Sequence, residues 1–221
     1  MPTVIADDVN LEIPEWVTNI EAFRHWADMP DYPEEGNIWW LRGKVWADMS
    51  KEQYYWHLMI KGEIYRVLSN LVIDQDLGDI VTDGLLVSNI VAGISGNPDA
   101  TFISHESFEE GTAVLIEGRS DGFTEVQGSP DMVLEVVSDS SETKDLVTLR
   151  QDYFVAGIRE YWLVDGRKDV LSFDILRRNS KGFVLTRKQG DWVKSEVFGK
   201  SFRLVESKNR RGKPTYRLEM K

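Results

Sequence analysis

The chain has 221 residues, 42% hydrophobic and 11% aromatic, enough for one globular domain with an ample core. Without cysteine it has neither disulfides nor thiolate zinc sites, and without an apolar run near twenty residues or a basic, apolar leader it is expected to be cytoplasmic and to have no membrane partner. The net charge of −11 argues against general affinity for nucleic acid, yet residues 167–221 hold 16 Lys and Arg against 6 Asp and Glu, whereas the first 166 hold 10 against 31.

Residues 1–36 read as an N-terminal extension, an acidic lead followed by a short helix over 19–28. Thr18 and Glu21 have capping-box spacing there, and Ile20, Phe23 and Trp26 share one face. Residues 37–221 form the main domain. Its first element is a hairpin over 38–49 that turns at Arg42-Gly43 and carries Trp39, Trp40 and Trp46, more suited to packing than to stacking on bases. The longest helical pattern covers 51–72 and ends before Gly78. His57 lies off its apolar stripe, either approaching a metal cleft or as a satisfied polar residue. Asp83-Gly84 predicts a hairpin between strands at 79–82 and 85–94. The turn Gly96-Asn97-Pro98 leads into a strand over 99–103, and Asp99 is either a turn cap or a ligand. A hairpin over 114–126, about Ser120-Asp121-Gly122, is expected to bring the strands of Asp99 and Glu135 together.

The segment 131–137 reads as a buried strand that puts Met132, Leu134 and Val136 on one face and Asp131, Val133, Glu135 and Val137 on the other. A carboxylate inside an apolar run requires a cation, a hydrogen-bond network or a wet cleft, so Glu135 is a candidate for a metal site or for a salt bridge. Asp139 with Glu142 has capping-box spacing before a helix over 141–156, which Gly157 stops. At about 100° per residue, Leu146, Leu149, Arg150, Tyr153 and Phe154 fall on one stripe and Lys144 on the far side. That wheel points Arg150 inwards and Lys144 to solvent. A strand over 160–165 completes a strand–helix–strand unit with parallel strands. Beyond Gly166, strands at 170–176, 183–187, 192–198 and 215–220 alternate with polar turns, the last preceded by the basic turn Lys208-Asn-Arg-Arg-Gly-Lys-Pro. The basic C-terminal third either contacts phosphates along a DNA backbone or pairs with the acidic part, in one protomer or across a homodimer.

These residues resemble the Uma family of restriction endonucleases, in the PD-(D/E)XK nuclease superfamily. The resemblance rests on Pro130-Asp131, Leu134-Glu135-Val136-Val137-Ser138, Lys144-Asp145-Leu146, Tyr153 and Ala156-Gly157-Ile158-Arg159-Glu160-Tyr161-Trp162-Leu163-Val164-Asp165, with Asn97-Pro98-Asp99 upstream and His57 at a helical position where histidine is common. It implies an α/β fold, a restriction-endonuclease-like mixed central sheet flanked by helices with additional β-hairpins, in which Asp99 and Glu135 hold Mg²⁺ or Mn²⁺. Asp131 lies roughly 13 Å along the strand from Glu135, too far to share one ion without a bend. The superfamily's lysine two residues after the glutamate is Val137 here, and the family's helix lysine falls at Leu149. Arg150, adjacent and fixed in charge, and Lys144, the only lysine nearby, are the substitutes.

Two functions follow. The first is a metal-dependent endonuclease acting on DNA, with Asp99, Glu135, Asp131, Arg150 and Lys144 as candidate catalytic residues and Asp99 and Glu135 as metal ligands. The alternative is a catalytically impaired nuclease-fold protein that binds nucleic acid or a protein partner, and a homodimer through the aromatic N-terminal segment is a further expectation.

Overall fold

Strand β9 (Met132–Val136) has all five side chains buried, and the rest of the fold is arranged on its two faces. A computed structural model describes residues 11–119, 121–167 and 170–221, so the acidic lead at 1–10 and Ser120 of the predicted turn lie outside them. β9 runs parallel to β10 (Glu160–Asp165), with Leu134 beside Trp162, and antiparallel to β6 (Ala100–Ser104), with Ala100 beside Leu134. Adding β3 (Gly78–Thr82), β11 (Ser172–Arg178) and β12 (Phe183–Leu185) gives a central mixed sheet of order β12-β11-β10-β9-β6-β3.

The period-two alternation of β9 sorts its side chains into two cores. Met132, Leu134 and Val136 pack with Ile60, Ile64 and Leu68 of helix α2 (Met59–Gln75) and with Phe202 and Leu218 of a three-stranded sheet. That sheet is β13 (Val193–Lys194), β14 (Ser201–Lys208) and β15 (Pro214–Met220). Val133, on the other face, joins Leu149 and Tyr153 of helix α4 (Leu149–Val155) and Trp39 and Ile94 of a second six-stranded sheet. Each such buried side chain contributes about 1.5–3 kcal/mol, so the strand is held from both sides. The second sheet has the order β2-β1-β5-β4-β8-β7, from β1 (Asn37–Leu41), β2 (Lys44–Asp48), β4 (Leu86–Asn89), β5 (Ile94–Gly96), β7 (Ala113–Glu117) and β8 (Phe123–Gly128). Helix α1 (Ile20–Ala27) lays Phe23 and Trp26 against Trp40 of this sheet, and the short α3 (His105–Glu109) follows β6.

Several expectations are corrected. The β1–β2 hairpin turns at Arg42-Gly43 as predicted, with φ of +51° and +80° as a type I′ turn requires. Asp83-Gly84 also turns, but its flanking strands do not pair: β3 adds to β6 in the central sheet while β4 crosses to the second. The predicted strand at 85–94 breaks in two where the Asn89 side chain accepts the Ala92 N–H, and β4 then pairs with β5. The cap of α1 is Asn19, which accepts the Ala22 N–H at 2.8 Å, and not Thr18. β13 stops after two residues because Ser195 turns inwards to donate to Glu160 at 2.7 Å. β14, the longest strand, falls in a stretch where no strand is expected from the sequence.

Candidate active site

The register that pairs Ala100 with Leu134 carries Asp99 to the position opposite Glu135, at the end of the β6–β9 pair. Both carboxylates are buried. Asp99 accepts the Val136 N–H on Oδ2 at 2.6 Å, and its Oδ1 lies 3.1 Å from Lys61 Nζ. Glu135 Oε1 accepts the Tyr153 hydroxyl at 2.6 Å, while Oε2 is 3.4 Å from Lys144 Nζ. Burial pushes the Glu135 carboxyl well up from its ordinary range; Lys144 opposes that shift, and the charges of Asp145 and Asp99 add to it.

Lys144 is buried, contrary to the helical wheel, and its ammonium sits 2.7 Å from Asp145 Oδ1 as well as beside Glu135. The reason is local. Residues Lys144–Thr148 form a π-helical turn in which the Leu149 N–H closes on Lys144 O, so Lys144 stacks over the inward-facing Leu149 instead of opposite it. The same ammonium lies 4.5 Å from the Trp39 ring centroid and 5.2 Å from that of Trp46, an aromatic box that favours the charged form. Trp39 keeps its seat because residue 96 is glycine: a β-carbon there would come within 2.1 Å of the indole. Arg150, by contrast, is exposed and donates to Phe183 O at 2.8 Å. The buried side of α4 is Leu149, Asp152 and Tyr153, with Arg150 at its margin, so the inward position expected for this arginine is not observed.

Asp131 occupies the opposite end of β9. It accepts the Ser104 N–H and the Ser107 hydroxyl, each at 2.7 Å, and pairs with Arg159, which makes it a structural anchor well away from Glu135. His57 does join the cluster. A second π-helical segment, Tyr54–Leu58, turns its ring so that Nε2 donates to Val136 O at 2.7 Å and lies 3.8 Å from Asp99 Oδ2. Two residues missed in the sequence complete the site. Lys61, one α-helical turn after His57, contacts Glu52, Asp83 and Asp99 at 2.8, 2.6 and 3.1 Å, and Glu52 Oε1 lies 3.7 Å from His57 Nδ1. The i, i+4 spacing of His57 and Lys61 was the available signal; nothing local marks Glu52.

The residues fit a hard divalent cation. Ligand atoms of Glu52, His57 and Asp99 lie within 4.8 Å of one another, and Glu135 lines the same cleft. Glu52, Asp83, Asp99, Glu135 and Asp145 outnumber Lys61 and Lys144, His57 Nδ1 has no hydrogen-bond partner, and carboxylate oxygens are the donors that Mg²⁺ and Mn²⁺ prefer.

A mixed sheet flanked by helices, with two acids on neighbouring strands and a lysine from the crossover helix, defines the restriction-endonuclease-like fold. The chain belongs to the Uma2 family, described as "Putative restriction endonuclease", whose profile matches residues 20–208. Its fold is also similar to the crystal structure of a protein from Anabaena variabilis ATCC 29413 titled a "putative nuclease belonging to DUF820", at 14% identity and a TM-score of 0.51 over 73% of this chain and 83% of that one. No curated protein matches the sequence.

Proposed function

We propose that this protein is a divalent-metal-dependent endonuclease that hydrolyses DNA phosphodiester bonds. The observation that carries the reading is the burial of Lys144 beside Glu135, which restores the acid, acid and lysine set that the linear motif lacks. Asp99 and Glu135 would hold Mg²⁺ or Mn²⁺, with Glu52 and His57 beside Asp99 in the same cleft. When bound, such an ion polarises the phosphate and lowers the pKa of its water.

The chain's own residues have separable tasks. Burial pulls the Lys144 ammonium down, but Glu135 and Asp145 outweigh it and hold its pKa above the ordinary lysine value. Lys144 therefore stays protonated and neutralises charge developing on the phosphate; it is not the base. Tyr153, kept protonated by burial and by Glu135, fixes the Glu135 carboxylate through its hydroxyl. His57 ties the end of β9 through Val136 O and so holds Asp99 and Glu135 in register.

One observation favours a second reading, a nuclease-fold protein that binds without cutting: both acids already have ammonium partners, Lys61 for Asp99 and Lys144 for Glu135. Nicking of supercoiled plasmid separates the two. The first reading predicts cleavage with Mg²⁺ or Mn²⁺ that EDTA and Glu135→Ala each abolish; no cleavage by the unaltered protein over a range of metals and DNA substrates favours the second.

A further inference from the structure

We infer that the outer face of the three-stranded β13–β14–β15 sheet docks the phosphate backbone of duplex DNA, a reading that rests on the nuclease function and assigns its substrate a surface. Val193, Phe202, Tyr216 and Leu218 point into the core, so the alternate residues stand on the outside: the neutral Ser201, Val205, Ser207 and Thr215, and a group of six made of Trp192, Lys194, Arg203, Arg217, Glu219 and Lys221. Four of these six are cations and one is an acid. Glu219 is taken by Arg203, and among the described residues Lys194, Arg217 and Lys221 make no ion pair although all three are exposed. Trp192 gathers the charge: the Arg203 guanidinium lies 4.9 Å and the Lys221 ammonium 4.3 Å from its ring centroid. The β14–β15 turn extends the patch with exposed Arg210, Arg211 and Lys213.

This arrangement decides between the two roles open for the basic C-terminal third. Internal pairing does consume part of the excess, through Arg167 with Asp165 and Glu142 and through Lys188 with Asp174. Of the rest, Lys194, Arg203, Arg217 and Lys221 stand together on one sheet and Arg210, Arg211 and Lys213 on its turn, in a chain whose first 166 residues repel a polyanion. The sheet is also fastened to the helix that enters the active site. Leu218 N–H donates to Glu63 of α2 at 3.0 Å, and β15 packs against the Tyr54–Leu58 segment that carries His57. A basic sheet face with an aromatic anchor presents the cations that phosphates along a duplex backbone require.

The test is fluorescence anisotropy of a labelled 30-base-pair duplex in EDTA over a salt series. It compares the unaltered protein, a face variant (Lys194→Gln, Arg217→Gln, Lys221→Gln) and a charge-matched control on other surfaces (Lys44→Gln, Arg119→Gln, Lys181→Gln), each first shown to melt at the wild-type temperature. The face variant is expected to lose affinity by about tenfold or more in low salt, with the slope of log Kobs against log salt shallower by about 0.9 per phosphate contact removed, while the control stays near wild type. Equal affinity in face variant and wild type, or equal loss in the control, overturns the inference. So does loss of binding to phosphatidylserine vesicles by a face variant that keeps its duplex affinity. Because binding is read without metal, a protein that cuts plasmid but binds equally as the face variant sinks the docking surface and spares the nuclease. Loss of binding in a protein that never cuts does the reverse.

Discussion

The two ends of β9 carry the same chemical group in opposite states. Asp131, the residue before β9, and Glu135, within it, are 1% and 3% exposed. Burial alone would raise the Asp131 pKa, but the Ser104 N–H, the Ser107 hydroxyl and the Arg159 guanidinium outweigh it and hold the carboxyl below its ordinary range. Glu135 goes the other way, raised by burial and by two further acids that Lys144 does not balance. One carboxylate is surrounded by donors and a guanidinium; the other shares its surroundings with two further acids as well as Lys144. Burial of a carboxylate therefore does not by itself identify a functional acid; what differs between the two is the set of charges that surrounds them.

The largest expected effect separates the ends by activity. Glu135→Gln should lower single-turnover nicking by at least about 10²–10³-fold while leaving the melting temperature at or above wild type, because it removes a buried charge that its neighbours repel. A melting temperature that falls sharply with activity would make Glu135 a structural residue like Asp131. Gly96→Ala should come next. It drives a methyl into the Trp39 indole, so calorimetry should show a loss of about 1–3 kcal/mol and nicking should fall along with the displaced Lys144 box. Unchanged nicking would remove Trp39 from the positioning of Lys144.

Asp131→Ala should destabilise by about 1–3 kcal/mol, since it leaves the Ser104 N–H and the Ser107 hydroxyl without their acceptor, and should leave nicking per folded molecule intact. The pH dependence follows from the direction of its shift. With a folded-state pKa below the unfolded value, Asp131 contributes stability above the ordinary carboxylate range, and this is lost as pH falls through the folded pKa; Asp131→Asn should flatten the acid limb of a melting-temperature profile. A profile parallel to wild type would contradict the anchor. The smallest effect is Arg150→Ala, expected to change stability by no more than about 0.5 kcal/mol and nicking not at all, because the guanidinium is exposed and bonds only to Phe183 O among the described residues.

The frame around β9 is legible because alternation and the apolar runs of 131–137 and 160–165 leave few choices for buried parallel strands; the pairing of Asp99 with Glu135 rests on the family resemblance, and the 114–126 hairpin expected to join their strands lies in the second sheet while β6 pairs with β9 directly. The lysine is not legible. A helical wheel assumes 3.6 residues per turn, and one π-helical turn at Lys144–Thr148 reverses the face on which Lys144 falls. His57 was ambiguous for the same kind of reason, as a π-helical turn sets its ring too. Lys61 and Glu52 gave little signal, because their roles depend on Asp83 and Asp99, brought to them by tertiary contacts. Asp83-Gly84 turns the chain as its residues dictate, but turn chemistry fixes the reversal and not the sheet that each flanking strand joins.

The most direct test of the account is the metal-dependent nicking rate of Lys144→Ala beside Arg150→Ala and wild type at saturating Mn²⁺. The account predicts that Lys144→Ala loses about 10²–10³-fold while Arg150→Ala cuts as wild type does; a Lys144→Ala protein that nicks at the wild-type rate would contradict it.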